Sequence, residues 1–326
     1  MGDDSVTGVC LLYMGGPETL EDVEPFLAAL FEDRDLIRLP GGRLLQRFIA
    51  RRIVSRRAPV VRERYTRIGG GSPLVRITRR QAALLEQALG SHGPFRVAVG
   101  MRYSEPRTDR ALRELREAGA RRLVALPLYP HHSSATTGSS FKDLDRALRG
   151  HPGLEVTRVA DFHDHPLYVE ALAGTVRRGL EALPGDRTDP ARVVFSAHSL
   201  PRRLVERGDP YQRQVEATVR LVTRALELPG ARWDLGYQSR SGPVRWLEPD
   251  VLDVVARSAG QGARRLLVVP VSFVSDHIET LHEIDIEMRE HALSRGVTDF
   301  GRAPALNDDP RFIDALARIT LQACRR

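Results

Sequence analysis

The chain reads as an α/β protein built on parallel sheets, and three observations carry that reading. Short apolar runs of the kind buried parallel strands show alternate with amphipathic stretches of helical period. Strand then helix, repeated along the chain, places parallel strands in sheets with helices on both faces. A length of 326 residues with 42% hydrophobic content suits two ordinary domains better than one.

The expected elements follow in order. A strand from Thr7 to Tyr13 leads into Gly15-Gly16-Pro17 and a helix from Glu18 to Phe31. A basic amphipathic helix from Leu44 to Arg56, in the stretch Leu36 to Arg64, interleaves Leu44, Leu45, Phe48, Ile49 and Ile53 with Arg43, Arg47, Arg51, Arg52, Arg56 and Arg57. Its apolar side either packs on a core or forms a lip for an amphiphilic ligand or an anionic bilayer. Gly69-Gly70-Gly71-Ser72-Pro73 allows a turn or the close approach of a flat ligand to backbone, since no GxGxxG or GxxxxGK[ST] pattern joins strand to helix. A helix from Thr78 to Leu89, a strand from Arg96 to Gly100, a helix from Thr108 to Ala118 and a strand from Arg122 to Leu128 continue the alternation. Thr136 to Ser140 is a hydroxyl-rich loop that caps the helix after it or binds an anion. A strand from Glu155 to Val159 closes the first half, and the two halves join near Asp161 to Pro166.

The second half predicts helices over Leu167 to Leu183, Tyr211 to Leu226 and Pro310 to Ala323, with strands over Arg192 to Ser196, Trp233 to Tyr237 and Leu266 to Val271. Each of these strands ends in polar residues: Ala197, His198 and Ser199; Gln238, Ser239 and Arg240; Ser272, Ser275 and Asp276. Parallel strands bring such ends to one edge of the sheet, so His198 and Glu279 are expected to face one cleft. A histidine after a strand also serves as an ordinary hydrogen-bonded structural residue, and that alternative stands for His198 taken alone.

The stretch Val271 to Glu290, VSFVSDHIETLHEIDIEMRE, runs from an apolar strand into a helix crowded with acids. With a helix start near Asp276, the residues Glu279, Glu283 and Glu287 recur every four positions on one face, about 6 Å apart along the axis. Like charges so spaced destabilise a helix, which is compatible with a solvated face or with a cation or proton path. Asp276 and His277 supply a cap and a titratable ring, while His277 and His282 lack the spacing of the HExxH zinc motif.

Composition narrows the compartment and the partners. The net charge of +7 rests almost wholly on arginine, with Lys142 the single lysine. No nucleic-acid-binding motif accompanies that charge, so no nucleic acid partner is expected. Two cysteines, Cys10 and Cys324, cannot build a disulfide framework and suit a reducing cytosol. The start MGDDSVTG has neither a basic region nor an apolar core, and no run of about 18 apolar residues occurs, which predicts a soluble or peripheral protein.

Seven pieces carry a resemblance to a known family: LLYMGGPETLEDVEPFLAALFEDRDLIRLP, YTRIGGGSPL, GMRYSEP, YPHHSSATTGSS, FSAHSLPRRLVERGDPYQRQVEATV, YQSRSGPVRWLEP and PVSFVSDHIETLHEIDIE. In order and spacing they resemble ferrochelatase of the protoporphyrin type, over nearly the whole chain. The resemblance implies two Rossmann-like, chelatase-type domains with a porphyrin cleft between them, the first over 1–163 and the second over 164–306, with the C-terminal helix 307–326 returning to the first. It implies insertion of Fe²⁺ into protoporphyrin IX to give protohaem, the last step of haem synthesis. Coproporphyrin ferrochelatase, a cobalt or nickel chelatase on another tetrapyrrole, and a porphyrin or haem carrier are the alternatives.

By that similarity His198 and Glu279 are the catalytic pair and the metal-binding residues. Asp276, His277, Glu283 and Glu287 form the proton or metal path. Met14, Tyr13, Tyr65, Ser72, Arg102, Tyr103, Gln238, Ser239 and Trp246 are the positions around the porphyrin. Iron is a substrate on this reading, and two cysteines cannot supply the four thiolates of a [2Fe-2S] cluster, so no resident cofactor is expected. Tyr13 stands where many relatives have asparagine and Val60 where some have lysine. The expected location is the cytoplasm, with peripheral contact with an anionic membrane through the Arg-rich helix 43–57.

Overall fold

The computed structural model describes residues 6–34, 42–186 and 188–325, with no side-chain description of Arg43 and Leu44. Leu36 and the side chains of Arg43 and Leu44, all in the predicted basic stretch, therefore lie outside the described residues. The chain divides into two compact units, one of 1–128, 134–160 and 316–326, the other of 129–133 and 161–315.

In the first unit the strands are β1 (Thr7–Tyr13), β2 (Phe95–Met101), β3 (Arg122–Pro127) and β4 (Glu155–Arg158), all parallel in the order β2-β1-β3-β4. Around them run α1 (Val23–Glu32), α2 (Gly42–Arg67), α3 (Leu74–Leu89), α4 (Thr108–Glu117) and α5 (Thr137–Leu148). One core gathers Cys10, Leu12, Ala111, Leu112, Leu115, Leu123 and Leu144 between sheet and helices. Removing each such large side chain from water contributes about 1.5–3 kcal/mol, which is what holds the amphipathic helices against the sheet.

The second unit repeats this order of strands. Its strands β5 (Arg192–His198), β6 (Trp233–Gln238), β7 (Arg265–Pro270) and β8 (Asp299–Arg302) are parallel in the order β6-β5-β7-β8. Its helices are α6 (Pro166–Ala182), α7 (Arg202–Glu206), α8 (Tyr211–Ala225), α9 (Val251–Gly260), α10 (Ile278–Leu281) and α11 (Arg289–Leu293), followed by α12 (Pro310–Ala323). In such an order the chain reverses direction beside the first strand, so the carboxyl ends of β5 and β7 flank a crevice.

Two expectations need correction. The basic helix does not stop at Arg56 but continues through Pro59 to Arg67. A proline removes one helical hydrogen bond and crowds the preceding turn, yet the flanking turns close around it. Ala50, Val54 and Ala58 face inward on α2, while Leu45, Phe48 and Val60 are exposed, so much of its apolar surface lies outside the core. The helix expected from Glu18 begins only at Val23, because Thr19 turns back to bond Asp22 through both its N–H (3.0 Å) and its hydroxyl (2.9 Å).

Three elements were not expected at all: the short α7, β8 and α9. Strand β8 has a single buried apolar side chain, Phe300, and so lacks the continuous apolar run of a central strand. Helix α9 is short, and its start is marked by Asp250, whose carboxylate accepts the Leu252 N–H at 2.8 Å. The glycine loop is also resolved by close packing. Gly69 and Gly70 take positive φ (106° and 94°) to turn the chain after α2. A Cβ at Gly71 would lie 2.0 Å from the Glu18 carbonyl oxygen, so that glycine admits the chain's own backbone.

Candidate active site

Strand β5 runs two residues past its expected end, and this extension places His198 at the rim of the second sheet, in register with Gln238 of β6. The pairing with β7 ends at Ser196, and on that flank side chains take over the His198 backbone. The His198 N–H donates to Ser272 Oγ at 2.8 Å, and the Tyr211 hydroxyl donates to the His198 carbonyl at 2.8 Å. Both groups come from predictable places: Ser272 just after β7 and Tyr211 at the first residue of α8.

The imidazole Nδ1 of His198 lies 2.8 Å from Glu279 Oε2. A carboxylate only accepts, so Nδ1 carries the proton and Nε2 keeps the lone pair. His277 completes the group, its Nε2 3.7 Å from the same Oε2 and its Nδ1 3.1 Å from the Ser275 carbonyl. Phe273 stands edge-on to both rings, with centroids at 6.2 Å from His198 and 4.6 Å from His277. The sequence-predicted His198, Glu279 and His277 are thus brought together.

Glu283 meets this cluster from one turn further on. Its Oε2 accepts from the Ser239 hydroxyl at 2.5 Å and from Gln238 Nε2 at 3.0 Å. Gln238 Nε2 also donates to the Glu279 carbonyl at 3.0 Å, and its Oε1 accepts from the Ser196 hydroxyl at 2.6 Å. Ser239 holds φ of +65°, a region that favours glycine, and uses the resulting side-chain direction to reach Glu283. Gln238 and Ser239, expected near the porphyrin, are therefore carboxylate partners in this structure.

Burial and mutual charge set the electrostatics. Burial would raise the Glu279 carboxyl, but the charge and hydrogen bond of His198, aided by His277, hold it well below the usual carboxylate range. Burial pushes Glu283 up, with the Glu279 charge adding to it, to about 7, against the hydrogen bonds from Ser239 and Gln238. Burial would lower the His198 imidazolium, but the Glu279 charge and hydrogen bond raise it overall. Two neighbouring carboxyls with proton affinities driven apart are what a proton-transfer site requires.

The glutamate ladder does not run along one continuous α-helix. After the single turn of α10 the backbone widens into a π-helix over Glu283–Met288 before α11 resumes. The His282 carbonyl accepts from both Ile286 N–H (3.1 Å) and Glu287 N–H (3.0 Å), which marks the change from four-residue to five-residue spacing. Glu287 stands 3.5 Å from His282 Nδ1, half-exposed. Buried Ile284 and Met288 fix the wide turn in the core.

Asp276, the next of the expected path residues, is held from several sides. Its carboxylate is held by Asn307 Nδ2 at 2.8 Å, Thr280 Oγ1 at 3.0 Å and Arg302 Nη1 at 2.9 Å, so it anchors the segment. Sequence reasoning missed Arg302 and Asn307, whose only signals were a weak strand and a turn residue at φ +45°.

The remaining positions divide between the units. In the first, Tyr13 ends β1 and Met14 follows it, and their carbonyls accept from Arg102 N–H (2.8 Å) and Tyr103 N–H (2.9 Å) at the same sheet edge. Arg102 is buried between Asp33 and Asp143, each at 2.5 Å, and Tyr103 donates to Asp33 at 2.7 Å. The Arg102 guanidinium is thus balanced by two carboxylates. Burial, with the Asp33 charge, drives the Tyr103 phenol up. Tyr65 is buried near the end of α2, and Ser72 Oγ accepts the Leu74 N–H at 3.3 Å before α3. In the second unit, Trp246 bridges to Pro201.

The comparisons with known proteins agree with this architecture. A family model described as Ferrochelatase matches residues 6–324. Ferrochelatase of Geotalea uraniireducens (strain Rf4) is 49% identical over 315 residues, covering 96% of each chain. Ferrochelatase of Gloeobacter violaceus (strain ATCC 29082 / PCC 7421) is 48% identical over 320 residues, covering 97% of each. Among solved structures, the sirohydrochlorin chelatase SirB from Bacillus subtilis subspecies spizizenii in complex with cobalt has a TM-score of 0.56 at 12% identity, over 98% of this chain and 95% of that one. A second structure, SirB from Bacillus subtilis with Fe3+, has a TM-score of 0.55 at 14% identity, over 75% and 88%. These two show a shared two-domain chelatase-type fold. With a family match over nearly its full length and relatives at almost half identity, the chain belongs to the ferrochelatase family.

Proposed function

We propose that this chain inserts Fe²⁺ into protoporphyrin IX, releasing two protons and forming protohaem as the last step of haem synthesis. The observation that carries it is the His198–Glu279 contact of 2.8 Å beside a second, proton-avid carboxyl, Glu283. Metal insertion removes two pyrrole protons as one divalent cation enters, so it needs a base, a sink for the resulting charge and a route outward. His198 Nε2 supplies the base. The proton it accepts makes an imidazolium that Glu279 stabilises through Nδ1–H. Glu283, with affinity near neutrality, takes protons from this pair and returns them to solvent. A histidine and a carboxylate are also moderate ligands that deliver iron without trapping it.

Iron is a substrate in this scheme, and the chain needs no resident cofactor. No helix among the described residues is long and apolar enough to cross a membrane. Helix α2, with exposed Leu45, Phe48 and Val60 among arginines, is proposed to touch an anionic bilayer from the cytoplasmic side.

The test is anaerobic metal insertion by purified protein with Fe²⁺ and, in turn, protoporphyrin IX, coproporphyrin and sirohydrochlorin. Haem formation should be fastest with protoporphyrin IX and absent in His198→Ala of unchanged fold. A faster reaction with either other tetrapyrrole overturns the substrate assignment, and full activity in His198→Ala overturns the assignment of the base.

A further inference from the structure

Arg302, the last residue of β8, makes a two-pronged ion pair with Asp285 of the wide turn, Nε to Oδ1 at 2.8 Å and Nη2 to Oδ2 at 2.9 Å. Its third nitrogen, Nη1, lies 2.9 Å from Asp276 Oδ1. The guanidinium is largely buried, with 12% of its side chain exposed. Asp276 is fixed in turn from three sides. Its N–H donates to Asn307 Oδ1 at 2.9 Å, while Asn307 Nδ2 (2.8 Å) and the Thr280 hydroxyl (3.0 Å) donate to its carboxylate.

Glu279 and Glu283 lie between these two anchors in the chain. One planar cation therefore grips both ends of the segment that carries them. The segment gains from an outside grip, because a π turn interrupts the regular four-residue ladder and is rare as a helical form. The fork of an arginine suits a bidentate carboxylate and a second partner at once, which a point-charge ammonium cannot match.

We propose that Arg302 is a positioning residue for the reaction: by tying Asp276 to Asp285 across the wide turn it holds Glu279 at hydrogen-bond distance from His198, touching neither. The kinetic part of this proposal rests on the iron-insertion reading. The geometric part does not, since the His198–Glu279 bond can be read by spectroscopy in the absence of any substrate.

The experiment compares Arg302→Met, Arg302→Lys and Asp285→Asn in the full chain with ¹⁵N-labelled histidine. The probe is the downfield Nδ1–H resonance of His198, assigned by its loss in His198→Ala. Arg302→Met should move or broaden that resonance and lower kcat by about tenfold or more, as a misplaced catalytic group does, with KM for the tetrapyrrole nearly unchanged. Arg302→Lys, keeping one charge but not the fork, should fall between Arg302→Met and the unaltered protein. Asp285→Asn, a milder change that preserves shape, should reproduce the direction of both effects and serves if Arg302→Met does not fold. A lower melting temperature with unchanged resonance and unchanged kcat in Asp285→Asn and Arg302→Lys overturns the proposal and leaves Arg302 a fold-stabilising residue only. A shifted resonance with no haem formation by the unaltered protein would instead locate the failure in the iron-insertion reading.

Discussion

The phenol of Tyr211 donates a 2.8 Å hydrogen bond to the backbone carbonyl of His198, from the first residue of α8 to the last of β5. Together with Ser272 on the amide, this clamps the peptide groups of a residue that β7 no longer reaches. Tyr211→Phe keeps the ring that packs edge-on to His131, with centroids 5.9 Å apart, and removes only the donor. The buried carbonyl is then unsatisfied, which costs about 1–3 kcal/mol of stability. Haem formation should fall several-fold, and chemical denaturation with single-turnover kinetics measures the two effects separately.

Glu279→Gln keeps the shape of the site and removes the charge that stabilises a protonated His198. Rates of metal insertion should drop about 10²–10⁴-fold, the usual share of general acid–base catalysis. Retention of more than a tenth of the activity would show that Glu279 does not hold the developing charge.

Glu283 predicts a stability that depends on pH with an unusual sign. Its folded affinity is raised above that of an ordinary carboxyl, to about 7, so its contribution to stability is fully present below the unfolded value and is lost as pH rises through about 7. Glu283→Gln should therefore raise the melting temperature at pH 8 and leave it nearly unchanged at pH 4. The gain at high pH should be on the order of 1–3 kcal/mol, discounted for the partial exposure of the side chain. Thermal unfolding at the two pH values checks it, and equal shifts at both would remove the charge explanation.

Gly71→Ala and Gly70→Ala separate crowding from backbone strain. At Gly71 the new methyl would lie 2.0 Å from the Glu18 carbonyl oxygen, whereas at Gly70 there is open space and only a φ of +94° to oppose it. The first should lower stability by several kcal/mol and the second by about 1–2 kcal/mol. Urea midpoints give the comparison.

Association of α2 with anionic vesicles should be weak and should fall as salt rises, because arginines attract the surface through a screened field. Phe48→Ser should weaken it further, Phe48 being 59% exposed. Sedimentation with vesicles that shows no binding at low salt would leave α2 a surface helix only.

Much of this was legible in residue order. Strand β1 and helix α12 lie where the apolar period placed them, because local pattern and buried surface agree there. The meeting of His198 with Glu279 was also legible, since parallel strands must deliver their carboxyl ends to one edge. Strand β8 was not, because one buried phenylalanine in four residues is no periodic signal. Arg302 was hidden with it, and so was the anchoring of Asp276.

By itself, then, the sequence determined the α/β alternation, the family resemblance and the residue types at the sheet edge, all of which depend on local period and motif. Only the tertiary structure decided that the backbone beneath the glutamates widens into a π turn. A four-residue spacing describes a line on an α-helix, but whether the backbone stays α-helical is settled by what packs beneath it. Here Ile284 and Met288 in the core, and Arg302 gripping Asp276 and Asp285, accompany a π turn that keeps Glu279 and Glu283 beside His198 and sends Glu287 to His282.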